Sequence, residues 1–266
     1  MKNAFILSSL IALSFLTGCV EREYYEPCYS HNYNNDDSRK PYNTIDTTTT
    51  DSSTTDSVFH PVTVSGTIGN YSYVDLGLSV LWATYNVGAS APEEFGNYYA
   101  WAETDTKDAY SYKTYKYYNL ANYEYTKYSF AVGTQTTADK IVELDSADDA
   151  AAVNWGSEWR MPTKTEVREL AQNLKWQWIS SFYGTNVAGF LGKSKINGNT
   201  IFLPATGYYN NYDPQKVGEE LGYWTKTDNR DNLNAISFYG TQANTVPTSS
   251  YDCRLYGMAV RAVASK

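Results

Sequence analysis

Few residues in this chain have the chemistry for catalysis. Cysteine occurs at Cys19, Cys28 and Cys253, and histidine only at His31 and His60. A nucleophile–imidazole relay or a histidine-bearing zinc site needs its imidazoles beside the other ligands. Both histidines lie in or next to a polar N-terminal stretch, so neither chemistry is expected in the part that folds. Carboxylates adjoin at Glu93/Glu94, Asp148/Asp149 and Glu219/Glu220. Neighbours of this kind solvate a surface or cap a helix more often than they flank a sugar bond. The run "DNRDN" gathers Asp228, Asn229, Asp231 and Asn232. These are the hard oxygen donors calcium takes, but they miss the twelve-residue calcium loop. Turn chemistry explains such crowding, because Asn and Asp side chains bond their own backbone. No catalytic residue, metal or cofactor is expected.

Cys253, in the closing stretch "YDCRLYGMAVRAV", leaves three possibilities. It is a reactive or metal-binding thiol, half of a disulfide with Cys28 in an oxidising compartment, or a buried lone thiol. The lone thiol is the expectation, because Cys28 sits in a segment that reads as unfolded.

That segment follows a short export signal. Lys2 precedes the apolar run "AFILSSLIALSFL", too short to span a bilayer and remain as an anchor. It ends in "LTGC", which resembles a bacterial lipobox, with Cys19 as the lipidated residue and 1–18 as the signal peptide. "VEREYYE" after Cys19 resembles the surface-export signals of Bacteroidetes lipoproteins. Residues 19–60, with "HNYNNDDSRKPYN" and "TTTTDSSTTDS", have no apolar periodicity and cannot bury enough surface to offset ordering entropy. They read as a tether. The implied location is the outer membrane, exposed on the cell surface and held through a diacyl anchor.

The remaining residues, 61–266, are enough for one large domain. The chain has 266 residues, of which 26 are Tyr. Tyrosine suits recognition surfaces and strand faces alike. The net charge of −8 gives no footprint for nucleic acid.

Short β-branched or aromatic blocks punctuated by Gly and Asn read as strands: "VTVSGTI", "YSYVDLG", "VLWATYNVG", "NTIFLPATGY", "LGYWTKT", "NAISFYG" and "GMAVRAV". Residues 110–128, "YSYKTYKYYNLANYEYTKY", have no clean period and read as a long excursion with short strands at most. Two helices are expected. One runs over 145–156 with Asp145 or Ser146 as N-cap and acids in its first turn. The other starts at Thr163, where Thr163 and Glu166 form a capping box and Val167, Leu170, Ala171 and Leu174 make one apolar face. Two adjacent helices in a strand-rich chain predict an α+β fold.

The order "YVDLGLSVLWATYNVGASAPEEFGNYYAWAET", "LDSADDAAAVNWGSEWRMPTKTEVREL", "IFLPATGY", "GYWTKT" and "GMAVRAV" resembles a surface-protein domain of Bacteroidetes and Fibrobacter. That domain is related to the C-type-lectin-like fold of formylglycine-generating enzymes and of the variable proteins of diversity-generating retroelements. The resemblance covers about residues 70 to 264 and implies a scaffold displaying ligand-binding loops. The enzymes it resembles use two cysteines before a terminal Arg-containing strand. Here Cys253 matches the first and Met258 stands where the second would be. A thioether cannot ionise, so the copper-binding thiolate pair is incomplete.

The expected function is an adhesin or receptor for a protein or glycan. The alternatives are a divergent or inactive formylglycine-generating-type enzyme and a structural surface component. Ligand contacts are expected in 224–254, from Asn229, Asn232, Tyr239, Asn244, Tyr251 and Arg254. These place aromatic anchors among adaptable polar groups on loops. Trp224 is expected in the core.

Overall fold

The computed structural model describes residues 62–130, 138–244 and 246–266. The signal, the lipidation residue Cys19, Cys28 and the tether lie outside the described residues. In chain order the elements begin with β1 (Gly66–Ile68), β2 (Tyr71–Val74), β3 (Val80–Ala83), β4 (Tyr98–Tyr99), β5 (Tyr118–Asn119) and β6 (Glu124–Tyr125). A helical stretch follows: α1 (Ala150–Trp155), β7 (Trp159–Arg160) and α2 (Lys164–Asn173). Then come β8 (Leu174–Ile179), β9 (Gly189–Ser194), β10 (Thr200–Pro204), β11 (Tyr208–Asn210) and β12 (Asp213–Gln215). The chain closes with β13 (Glu220–Asp228), β14 (Asn234–Thr241), β15 (Thr248–Cys253), β16 (Met258–Ala259) and β17 (Val263–Ser265).

Two five-stranded sheets carry the architecture, in the orders β1-β2-β3-β17-β7 and β15-β14-β13-β16-β4. A three-stranded sheet, β10-β9-β8, and the hairpins β11-β12 and β5-β6 complete it. Pairing is antiparallel except for β13 with β16. Mostly antiparallel sheet with two short α-helices is compatible with an α+β fold.

The excursion at 110–128 contains only the two-residue strands β5 and β6. At α2 the capping box is present: Thr163 Oγ1 accepts from Glu166 N at 3.2 Å and Glu166 Oε2 from Thr163 N at 2.8 Å. Val167, Leu170 and Ala171 are buried on one face. Leu174 belongs to the same core, but its backbone is already extended and opens β8.

The first helix is shorter than expected and starts later. Ser146–Asp148 make a single 3₁₀ turn, and the N-cap of α1 is Asp149 rather than Asp145 or Ser146. The reason lies in the two acids. Asp149 Oδ1 accepts from Ala151 N and Ala152 N, and the same carboxylate also accepts from Met161 N at 2.9 Å. Asp148 turns the other way, into Lys116, Lys127, Tyr117 and Tyr128. One smooth helix cannot serve both.

The cores differ in filling. Val74, Leu76, Val80, Trp82, Phe190, Leu203, Leu221 and Val263 share one core with Val167 and Leu170 of α2. The larger core is aromatic, with Tyr99, Trp101, Tyr110, Tyr115, Tyr125, Tyr128, Trp159 and Trp224. Trp224 is fully buried, as expected, and its Nε1 donates to Tyr99 O at 2.8 Å. Tyr115 OH donates to Trp101 O at 2.9 Å and Tyr110 OH to Tyr98 O at 2.7 Å.

Candidate functional site

The sheet β15-β14-β13 has two faces, and its register assigns each residue to one. Glu220 lies opposite Thr241, Gly222 opposite Tyr239 and Trp224 opposite Ser237. Directly opposed residues point to the same side, so Glu220, Tyr239 and Thr241 share a face. Glycine at 222 lets another strand cross here. A Cβ at Gly222 would come within 2.2 Å of the Gly207 carbonyl oxygen. A Cβ at Gly207, whose φ is +58°, would meet Gln215 O at 2.1 Å. This close approach brings β11, and with it Tyr208, against Glu220 and Tyr239. Tyr208 is held by stacking on Tyr256 with ring centroids 4.7 Å apart.

The turn between β12 and β13 forms a second wall. Lys216 adopts a left-handed conformation, φ +58°, and its carbonyl accepts from Glu219 N at 3.0 Å and Glu220 N at 3.1 Å. The third wall is the end of β8. There Trp178 lies opposite Phe190 and packs edge-on against its ring at 5.2 Å. Gln242 and Ala243 in the β14–β15 turn close the fourth side, and Asn244 Oδ1 ties that turn by accepting from Thr241 N at 2.9 Å. The result is an open cleft of about 960 Å³ with Trp178, Tyr208, Lys216, Glu220, Tyr239 and Gln242 among its walls.

Its electrostatics centre on Glu220, which is 7% exposed. Burial, followed by the charge of Asp252, pushes its carboxyl up to about 7. Glu219 pushes the same way, while Lys216 and a hydrogen bond from Tyr239 oppose. Lys216 itself pairs with the exposed Glu219 at 3.0 Å. Burial pushes the Tyr208 hydroxyl up to about 12, so it stays a neutral donor. Such a cleft can bind through ring faces and the buried carboxyl of Glu220. Asp252, opposite Ala235 and so on the same face of the sheet, is buried and accepts from Ser237 Oγ at 2.5 Å.

The six expected contact residues do not converge. Tyr239 lines the cleft, and Asn244 shapes the turn at its edge. Tyr251 lies opposite Ile236, one strand position out of phase with Tyr239, and so faces the other side of the sheet. Asn229 is half-buried in the β13–β14 turn, donating to Asp231 at 2.8 Å.

Asn232 and Arg254 are inside the domain, which corrects their assignment as ligand contacts. Asn232 is buried and donates to Phe130 O at 2.6 Å. Arg254 is fully buried, paired with Asp228, and donates to Tyr128 O at 2.8 Å. Its guanidinium also lies over the rings of Trp101 and Tyr125 at 5.0 and 5.1 Å. The "DNRDN" run behaves as turn chemistry: Asp231 Oδ1 accepts from Leu233 N and Asn234 N. Among the described residues no group of three or more His, Cys, Asp or Glu is placed to hold a metal ion.

Cys253 is buried, as expected, but it is not a free thiol. It is disulfide-bonded, and its partner lies outside the described residues, where the Cys28 pairing also falls. The acid pairs divide too, with Glu219 exposed and Glu220 buried at the head of β13. Alternation along "ELGYWTKT" was the signal that would have found it, since Glu220 is in phase with the buried Trp224.

No helix among the described residues is long and apolar enough to cross a membrane. Comparison with protein-family models, curated proteins and solved structures finds no match for this chain.

Proposed function

We propose that this chain is a lipid-anchored surface binding protein, an adhesin or receptor, whose ligand enters the cleft between β8, β11, β13 and β14. The observation carrying this reading is the cleft itself, walled by three aromatic side chains around one buried carboxyl. Binding sites are concave and mostly apolar, with few convergent polar groups. The rings are fixed by neighbours before any ligand arrives, so little ordering entropy opposes association. The "LTGC" and tether segments support display from the outer membrane. A C-type-lectin-like domain fits the short antiparallel strands and adjacent helices, with "GMAVRAV" running through β16 into β17. The disulfide at Cys253 and the burial of Met258 favour binding over thiolate chemistry of the formylglycine-generating type.

The test uses the mature, full-length chain on cell surfaces and a glycan array. Gln242→Trp fills the cleft from an exposed turn, so it is expected to abolish capture with an unchanged melting temperature. Undiminished capture by a folded Gln242→Trp protein would place the ligand elsewhere.

A further inference from the structure

We propose that the cleft takes a cationic group on an apolar stem, a lysine-like alkylammonium, with Glu220 as its counter-ion and Trp178, Tyr208 and Tyr239 as its ring walls. The inference rests on the receptor reading of this cleft and specifies its ligand.

Two features point to a cation. First, Glu220 is more than nine-tenths buried and faces the cleft, yet no cationic side chain among the described residues lies within ion-pair distance of it. The nearest candidate, Lys216, is engaged by Glu219. A buried carboxylate without a counter-ion is costly, and a partner charge removes most of that cost. Second, Trp178, Tyr208 and Tyr239 line the same space. Their ring faces attract a desolvated ammonium, and their apolar surface accepts its methylene stem. The net charge of −8 adds long-range attraction of the same sign.

The charges around Glu220 set how binding depends on pH. Asp252 from β15 and its neighbour Glu219 hold its proton on, while Lys216 from the β12–β13 turn and the Tyr239 hydroxyl from β14 favour ionisation. Tyr208 from β11 stays neutral. With its carboxyl near 7, Glu220 is mostly protonated at pH 6 and mostly ionised at pH 8. An arriving ammonium therefore displaces the carboxyl proton to solvent, and affinity rises with pH by about tenfold between these limits.

The test is calorimetric titration of the mature chain with cadaverine, Nα-acetyl-lysine methylamide and neutral 1-pentanol. Titrations at pH 6 and 8, and at pH 6.5 in buffers of different ionisation enthalpy, read affinity and proton release. Cadaverine and the lysine derivative distinguish a free amine from a polypeptide side chain. The expected result is amine binding that strengthens about tenfold from pH 6 to 8, with proton release. Both effects should vanish in Glu220→Gln, and pentanol should not bind. Equal binding of pentanol, pH-independent amine binding or full affinity in a folded Glu220→Gln protein would overturn the proposal. A neutral ligand that binds the wild type and is lost in Trp178→Ala would overturn the cation and leave the receptor cleft standing. Surface capture undiminished by Gln242→Trp would instead remove the receptor cleft.

Discussion

The core that α2 covers is mostly aliphatic, and side chains such as Val167, Leu170, Phe190, Leu203 and Leu221 are held there by shape and burial. Around Trp101 the interior is rich in tyrosine, and each tyrosine ring carries a hydroxyl that needs a partner. Tyr115 and Tyr110 find backbone carbonyls, while Tyr117 and Tyr128 find Asp148. Asp148 in turn pairs with Lys127 at 2.6 Å and with Lys116 at 3.0 Å. Volume-conserving apolar swaps in the first core are expected to cost little. The second is specified by directional bonds, and its charges make it responsive to pH. A long segment without secondary-structure periodicity, such as 110–128, is ordered largely by the second means, because its one ladder is the two-residue pairing of β5 with β6.

The largest expected effect tests the charged side of this contrast. Arg254→Ala leaves Asp228 buried without its cation and should cost about 3 to 5 kcal/mol in urea unfolding. Leu170→Ala in the aliphatic core should cost about 2 to 3 kcal/mol. Only the Arg254→Ala loss should shrink when Asp228→Asn is added, which a double-mutant cycle would reveal. Equal non-additivity at both places would erase the distinction.

A second expected effect is confined to the tyrosine core. Burial would raise the Asp148 carboxyl, but Lys127, Tyr117, Tyr128 and Lys116 overcome it and hold the group at about 2. An unfolded aspartate titrates near 3.8, so this stabilisation is fully present above that pH. It is lost as pH falls from 3.8 towards 2. Thermal melts over this range should show a steeper decline for the wild type than for Asp148→Asn. Parallel curves would mean the cluster contributes nothing to acid stability.

The smallest effect sits on the aliphatic side. Thr163→Ala removes one half of the capping box on α2 and should cost about 1 kcal/mol. An unchanged denaturation midpoint would show that burial of Val167 and Leu170 holds the helix without its cap.

That helix was legible because its signals are local: a cap three residues from its partner and apolar residues at helical spacing. Trp224 was legible for the same kind of reason, lying inside a hydrophobic strand block. The cleft was not. Trp178, Tyr208, Glu220 and Gln242 come from four elements, and only strand register and the Gly207–Gly222 approach bring them together. The candidate residues in 224–254 were close in sequence, but that interval is a three-stranded meander. Its register sends Tyr251 to one face and Tyr239 to the other, and leaves Arg254 in the core. Asp148 and Asp149 looked like one acidic pair and became two unrelated anchors, because their partners, the α1 amides and the Tyr128 hydroxyl, are set by the tertiary fold.

The placement of β17 bears on how such a chain is made. It is interior to the first sheet, bonded to β3 on one side and β7 on the other. β16 likewise joins β13 to β4 in the second sheet. Residues near 80 and 160 therefore wait for residues 258–265 before either sheet can close. During synthesis, every earlier strand has left the ribosome while the seams that unite them are still unmade. A keystone made last delays folding until the whole domain has emerged.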